Sequence, residues 1–274
     1  MFKEILGNVG VQSPLVHAIT NYVTVNDCAN VLLACGASPI MADDQGEVEE
    51  ITAICNALVI NIGTLNERTI EAMIKAGKKA NELAHPVVLD PVGAGASTLR
   101  TNTTFRLLNE VKFSVIRGNI SEIKTVAQGS GTTKGVDADV NDVITEENLD
   151  EAIAFAKSLS AKTGAVIAIT GAIDIVADSH KAYVIRNGHP LMSKISGTGC
   201  MLSAVIAGYC GANTVSLLDA TAAAVCAMGL CGELAYNKLK EVDGGISTYR
   251  TLILDYMGKL DAEMLNGGMK IESR

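Results

Sequence analysis

The sequence contains no tryptophan, and aromatic residues make up only 4% of its 274 positions. A core of that size must be aliphatic and alanine-rich. Positive charge is also scarce: 22 Lys and Arg face 30 Asp and Glu, a net charge of −8, and no basic cluster appears. Proteins that track nucleic-acid phosphates or anionic lipid need a basic face, so neither partner is expected. Seven cysteines form an odd set without a CxxC pair, and the four histidines show no spacing to them that would make a zinc site. The N-terminus lacks the apolar stretch of a secretion signal, and no run of ~18 uncharged apolar residues suggests a membrane span. These absences point to a reducing cytoplasm.

What is present is a large apolar inventory. Hydrophobic residues are 48% and charged residues 19%, far from the composition of a disordered chain. The usual ~150 residues per domain would allow two domains. No charged, Pro-rich or Ser-rich linker divides the chain, so residues 1–274 are read as one. Short apolar runs at 39–41, 57–61, 86–90, 114–117 and 165–170 have the character of strands, and the segments 66–83 and 146–162 have helical spacing. Thr145 is the expected N-cap of the second helix. ALVIN and VVLD are nearly continuous apolar runs, as in a parallel sheet covered on both faces. Beyond Thr170, 174–177 and 181–186 read as an antiparallel pair, followed by helices over about 198–211, 216–239 and 246–265. The fold class is α/β, with a mostly parallel sheet and helices on both faces.

Ligands in such sheets bind beyond the carboxyl ends of the strands, and four of these ends carry polar or glycine-rich clusters. Asp90 closes VVLD before PVGAGAS; it could hold Mg²⁺ or simply cap its turn. Arg117 closes a second strand, where a guanidinium suits a phosphate. Asn119 and Glu122 follow at the spacing of one helix face, which is also a plain capping arrangement. Thr170-Gly171 closes a third strand and could border a nucleotide or form a turn. The fourth cluster, Ser196-Gly197-Thr198-Gly199-Cys200, leads into a long apolar helix whose first N–H groups make an anion hole. Cys200 falls in that first turn, where the helix dipole is expected to lower its thiol pKa. Its position favours a functional thiol, whereas the other six cysteines read as packing. The glycines at 93, 95, 197 and 199 are expected to border the site. Neither glycine pair completes GxGxxG, and Gly129-Ser130-Gly131-Thr132-Thr133-Lys134 lacks the spacing of a Walker A loop.

Seven motifs in order carry a family resemblance: SPLVHAITNYVTVN near the start, GASPIMAD at 36–43, NIGTL at 61–65, LDPVGAGAS at 89–97, IRGNISE at 116–122, AITG at 168–171 and SGTGC at 196–200. Together they resemble the hydroxyethylthiazole kinases, thiazole-salvage enzymes of thiamine synthesis. DGGIST at 243–248 departs from the Gly-Pro-Gly turn common in that family, which bears on the turn rather than on activity. The resemblance implies a ribokinase-like fold and transfer of a phosphoryl group from ATP, with Mg²⁺, to the primary alcohol of 4-methyl-5-(2-hydroxyethyl)thiazole. It also implies a homotrimer with active sites between subunits. By motif match, Met41 and Gly197 would contact the thiazole with Asn21 nearby, Arg117 and Thr170 would bind ATP, and Asp90 and Glu122 would serve the metal. Cys200 stands where ribokinase-like sugar kinases usually carry an Asp general base, and it would orient the alcohol and weakly accept its proton. Two other readings stay open: a related kinase of the aminopyrimidine half of thiamine, and a non-catalytic thiazole-binding protein.

Overall fold

The computed structural model describes residues 2–129 and 143–274. The glycine-rich stretch at 129–134 lies, apart from Gly129, outside the described residues. The first half runs α1 (Phe2–Gln12), β1 (Leu15–Ile19), α2 (Val25–Ala34), β2 (Ser38–Ile40), α3 (Val48–Ile54), β3 (Ala57–Asn61), α4 (Glu67–Glu82), β4 (Val87–Asp90), α5 (Thr98–Glu110), β5 (Val115–Gly118) and α6 (Ile120–Gly129). The second half runs α7 (Leu149–Thr163), β6 (Val166–Ile169), β7 (Asp174–Ala177), β8 (Ala182–Ile185), a 3-10 turn (Pro190–Lys194), α8 (Thr198–Ala212), α9 (Leu217–Glu241), α10 (Ile246–Lys259), α11 (Ala262–Gly268) and β9 (Ile271–Ser273).

Among the described residues these strands form one sheet in the order β2-β1-β3-β4-β5-β6-β7-β8-β9. Pairing is parallel from β2 through β6 and antiparallel from β6 to β9. Side chains of a strand alternate between faces, and two apolar cores result. Val59, Val88 and Ala168 point into the core shared with α8 and α9, while Ile60, Leu89 and Ile167 point into the core shared with α4 and α7. This two-sided burial is what the continuous runs ALVIN and VVLD demand.

α4 starts where the sequence placed it: the Asn66 side chain accepts from Thr69 N at 3.1 Å and the Thr69 hydroxyl accepts from Asn66 N at 3.2 Å, closing a capping box. α7 starts later than expected. Asn148, not Thr145, is its N-cap, and the Asn148 amide oxygen accepts from Thr145 N at 2.8 Å, which turns residues 145–148 into the approach rather than the first turn. The expected helix over 246–265 is two. Leu260 is extended, and Asp261 caps α11 by accepting from Met264 N at 2.8 Å. Asp243 adopts φ 49° in the DGGIST turn, which Gly245 leads into α10.

α9 is long and apolar enough to cross a membrane by composition, yet 72% of its most apolar window is buried inside the fold. It is the central core helix. Every cysteine is free, and all but Cys200 are buried, as expected of packing residues.

Candidate active site

The strand order reverses between β1 and β3, the switch point beyond which open α/β sheets bind ligands. Asn21, Asn61, Asp90, Arg117 and Thr170 stand at or just past the carboxyl ends of β1, β3, β4, β5 and β6, which are neighbours in the sheet. A cavity of about 620 Å³ opens there, and Asp90, Arg117, Glu122, Thr170, Gly197 and Cys200 all line it.

Asp90 is fully buried. Its Oδ2 accepts from Asn61 Nδ2 at 2.9 Å and from Ser203 Oγ at 2.8 Å, and lies 3.6 Å from Arg117 Nη1. Its Oδ1 has no partner. Burial raises the carboxyl pKa, the charge of Glu122 adds to the rise, and Arg117, Ser203 and Asn61 oppose it. The relay continues outward: Asn61 Oδ1 accepts from Asn21 Nδ2 at 3.0 Å, and Asn21 Oδ1 accepts from Thr24 Oγ1 at 3.0 Å. Each amide is thereby fixed in orientation, because donors and acceptors alternate along the chain.

Arg117 donates from Nη2 to Thr170 Oγ1 at 2.5 Å, and its buried Nε is unpartnered. Its guanidinium lies against Gly199, where a Cβ would fall 2.5 Å from Nη1. Gly197, the N-cap of α8, has φ 95°, and a Cβ there would meet Thr24 Cγ2 at 2.3 Å. Glycine at both positions is therefore set by backbone geometry and close approach. Glu122 fulfils its capping role: Oε2 accepts from Asn119 N and Oε1 from Gly93 N, both at 2.8 Å, while Asn119 Oδ1 accepts from Glu122 N at 2.9 Å. The same carboxylate faces the cavity. Gly93 borders the site through this bond and is not among the lining residues, nor is Gly95.

Cys200 corrects one expectation. It lies in the first turn of α8, but its thiol pKa is raised rather than lowered. Burial dominates, and the nearby Asp90 carboxylate adds to it. Together they outweigh the hydrogen bonds from Thr24, Asn21 and Asn61 that favour the thiolate. Asn21 Nδ2 donates to Cys200 Sγ at 3.2 Å, so the thiol is a neutral, oriented group.

Met41 is not among the lining residues. It follows β2, the outermost strand, and packs half-buried against the α8–α9 core. Sequence reasoning assigned no role to Asn61, Ser203 or Asp174. Asn61 ends a strand in the NIGTL motif, and Ser203 lies one helical turn beyond Gly199, both of which are readable signals. Asp174 gave none, because it opens a strand of the hairpin.

Asp174 lies half-buried in the cavity wall, its Oδ1 accepting from Gly171 N at 2.8 Å. Burial pushes its pKa up to about 7, against the bond from Gly171 and the charge of Arg117. The unfolded carboxyl titrates near ~3.9. Between these values the folded chain binds more protons, so this group makes stability fall as pH rises through that window. Asp174→Asn keeps the oxygen for Gly171 and removes the titration. The melting temperature of the variant minus that of the wild type should therefore grow from pH 4 to pH 7 and level off above. A difference that stays constant over that range would contradict this.

A family model described as hydroxyethylthiazole kinase matches residues 6–263. The chain is 67% identical over 273 residues to a hydroxyethylthiazole kinase of Clostridium acetobutylicum, covering 100% of both. It superposes on the solved structure of a hydroxyethylthiazole kinase from Pyrococcus horikoshii OT3 with a TM-score of 0.89 at 33% identity, covering 100% of this chain and 98% of the other. A pyridoxal kinase of Staphylococcus aureus solved with pyridoxal, at 17% identity and a TM-score of 0.57 over 80% of this chain and 86% of that one, shares the fold. The match over nearly its whole length shows that the chain belongs to the hydroxyethylthiazole kinase family.

Proposed function

We propose that this chain, acting as one kinase domain in the cytoplasm, transfers the γ-phosphoryl group of ATP to the hydroxyl of 4-methyl-5-(2-hydroxyethyl)thiazole. The observation that carries the reading is the convergence of Asp90, Arg117, Glu122, Thr170 and the 197–200 turn on one cavity. Membership of the family supplies the substrate.

The cationic end of the cavity is suited to phosphates. Arg117, held by Thr170, presents its guanidinium beside the α8 N-terminus, whose first N–H groups have no partner within the helix. Donors fixed before the reaction stabilise charge on a transferring phosphoryl group without reorganising. The residues also fit Mg²⁺. Asp90 offers a buried oxygen without a partner, Glu122 adds a second carboxylate to the same cavity, and Mg²⁺ favours one or two carboxylates plus substrate phosphates. When bound, the ion would neutralise phosphate charge.

The alcohol is placed at Cys200. Its neutral thiol, pinned by Asn21, accepts or donates a hydrogen bond to the hydroxyl and fixes it toward the phosphate end. A loose transition state develops little negative charge on the attacking oxygen, so strong base assistance is not required. The raised pKa keeps the proton on sulfur, so Cys200 orients the hydroxyl rather than taking its proton, which fits a slow enzyme.

Asn21 approaches the cavity through Cys200, whereas Met41 stands apart from it. That placement supports the trimer reading, in which Met41 would serve a site shared with a neighbouring copy. Exposed Tyr22, Val23 and Leu33 around Asn21 and α2 provide apolar surface for such a contact. A solution mass of three chains by sedimentation is expected, and a mass of one chain would rule the trimer out.

The reaction is tested by thiazole-dependent ADP formation with Mg²⁺ present. Phosphorylated thiazole should appear in equal amount, and the aminopyrimidine alcohol should not replace it; absence of both products would overturn the kinase reading. Cys200→Ala should lower kcat by about tenfold, the scale of losing one orienting hydrogen bond, and Cys200→Asp, which supplies a carboxylate base, should retain or raise it. An unchanged kcat in the alanine variant would remove Cys200 from orienting the alcohol.

A further inference from the structure

The cavity wall beyond Thr170 is held from behind by residues with no place in the chemistry above. β8 runs toward the same edge of the sheet as β6, and Asn187 and Gly188 follow it into the cavity lining. Asn187 is buried. Its Nδ2 donates to Glu233 Oε1 at 3.1 Å and to the Gly268 carbonyl at 2.9 Å, and its Oδ1 accepts from Lys270 N at 2.8 Å. Gly188 N donates to the same Glu233 Oε1 at 2.9 Å, and Lys270 Nζ pairs with Glu233 Oε2 at 2.7 Å. The backbone of Asn187 presses onto α9 at Gly229, where a Cβ would fall 2.8 Å from the Asn187 carbonyl carbon. β9 then pairs with β8, so residues 268–274 lie along the outer edge of this wall.

On the ATP-dependent reading, this wall would receive the uncharged part of the phosphoryl donor. Arg117 and Arg186 are the arginines in the lining, and Glu146 already binds Arg186 at two points, 2.8 and 2.9 Å. Phosphate charge therefore goes to Arg117 and the 197–200 turn. The rest of the donor would meet Asn187, Gly188, Pro190, Val225 and Met228, apolar side chains and peptide with the Asp174 carboxylate and the His189 ring in the same lining, a mixed surface that suits a nucleoside.

We infer that residues 268–274 and Glu233 form a strap that fixes the Asn187–Gly188 wall, and that Glu233 is a positioning residue for the nucleoside end of the donor. It touches no substrate. Its Oε1 gathers Gly188 N and Asn187 Nδ2 at one point, and its Oε2 ties that point to the C-terminal segment. The inference rests on the ATP-dependent reading above.

The test uses the full chain and varies ATP and the thiazole alcohol separately, with ADP binding measured by titration calorimetry. Glu233→Ala should raise the ATP KM and the ADP dissociation constant about tenfold, the scale of losing shared hydrogen bonds to one charged acceptor. The KM for the alcohol should stay within about twofold. Glu233→Gln keeps an acceptor for Gly188 and Asn187 and should return the ATP KM to within about threefold of wild type. Lys270→Met, at an exposed side chain, should move the ATP KM the same way by about twofold, and it carries the test if Glu233→Ala does not fold. An ATP KM and ADP affinity unchanged in the alanine variant, or in Lys270→Met where it stands in, would overturn the strap; so would equal rises in both KM values. A wild-type chain that binds ADP but forms no product would refute the kinase reading alone, since ADP affinity tests the strap separately.

Discussion

A carboxylate at zero solvent exposure is the constraint around which this site is organised. Burying an ionised group costs several kcal/mol unless hydrogen bonds and opposite charge offset it. At Asp90 the offset comes from Asn61, Ser203 and Arg117, all directed at Oδ2. Each belongs to a different element, so the third and fifth strands and the helix after the glycine turn must register on the fourth strand. Asn61 and Asp90 are direct partners in the β3–β4 ladder, which is how backbone pairing delivers the first of these contacts. What is left over is Oδ1, a buried oxygen without a partner on a residue that lines the cavity.

The same economy of contacts explains the glycines around the crevice. Arg117 can reach both Thr170 and Asp90 only because nothing projects from Gly199, and α8 can begin beside Thr24 only because Gly197 has no side chain. The Arg117 guanidinium, the unpartnered end of a helix and a neutral thiol are thereby brought together at a single cavity. Elsewhere the lining combines Asn187, Gly188, Val225 and Met228 with Asp174 and Arg186, and Glu233 and the final strand brace it from behind.

Much of this was legible in the sequence, for identifiable reasons. Continuous apolar runs ending in Asp90, Arg117 and Thr170 announced a doubly covered sheet with these three residues along one edge, because a parallel sheet puts all such ends together. Helix boundaries were readable where one capping residue stood alone, as at Asn66, and misread where two competed, as at Thr145 and Asn148. The strand β1 escaped because His17 interrupts its apolar run. Buried, that ring stands between the Thr52 hydroxyl and the Ala42 carbonyl at 2.9 and 2.8 Å, a partnership between distant segments. β9 is three residues on an outer edge with no pattern to show it. The direction of the Cys200 shift was lost for a related reason: the helix dipole is local and visible in sequence, whereas burial beside Asp90 exists only once the sheet has formed.

The central claim is that Asp90 is buried for the reaction and not for stability. Asp90→Asn keeps the shape and the contacts of the side chain while removing its charge. The decisive measurement is kcat for thiazole phosphorylation in that variant, set beside its melting temperature. A fall of at least about a hundredfold, the scale of removing one preorganised electrostatic group, with a melting temperature equal to or above that of the wild type, is the result this account predicts. Retained activity, or loss of activity only in step with loss of the fold, would contradict it.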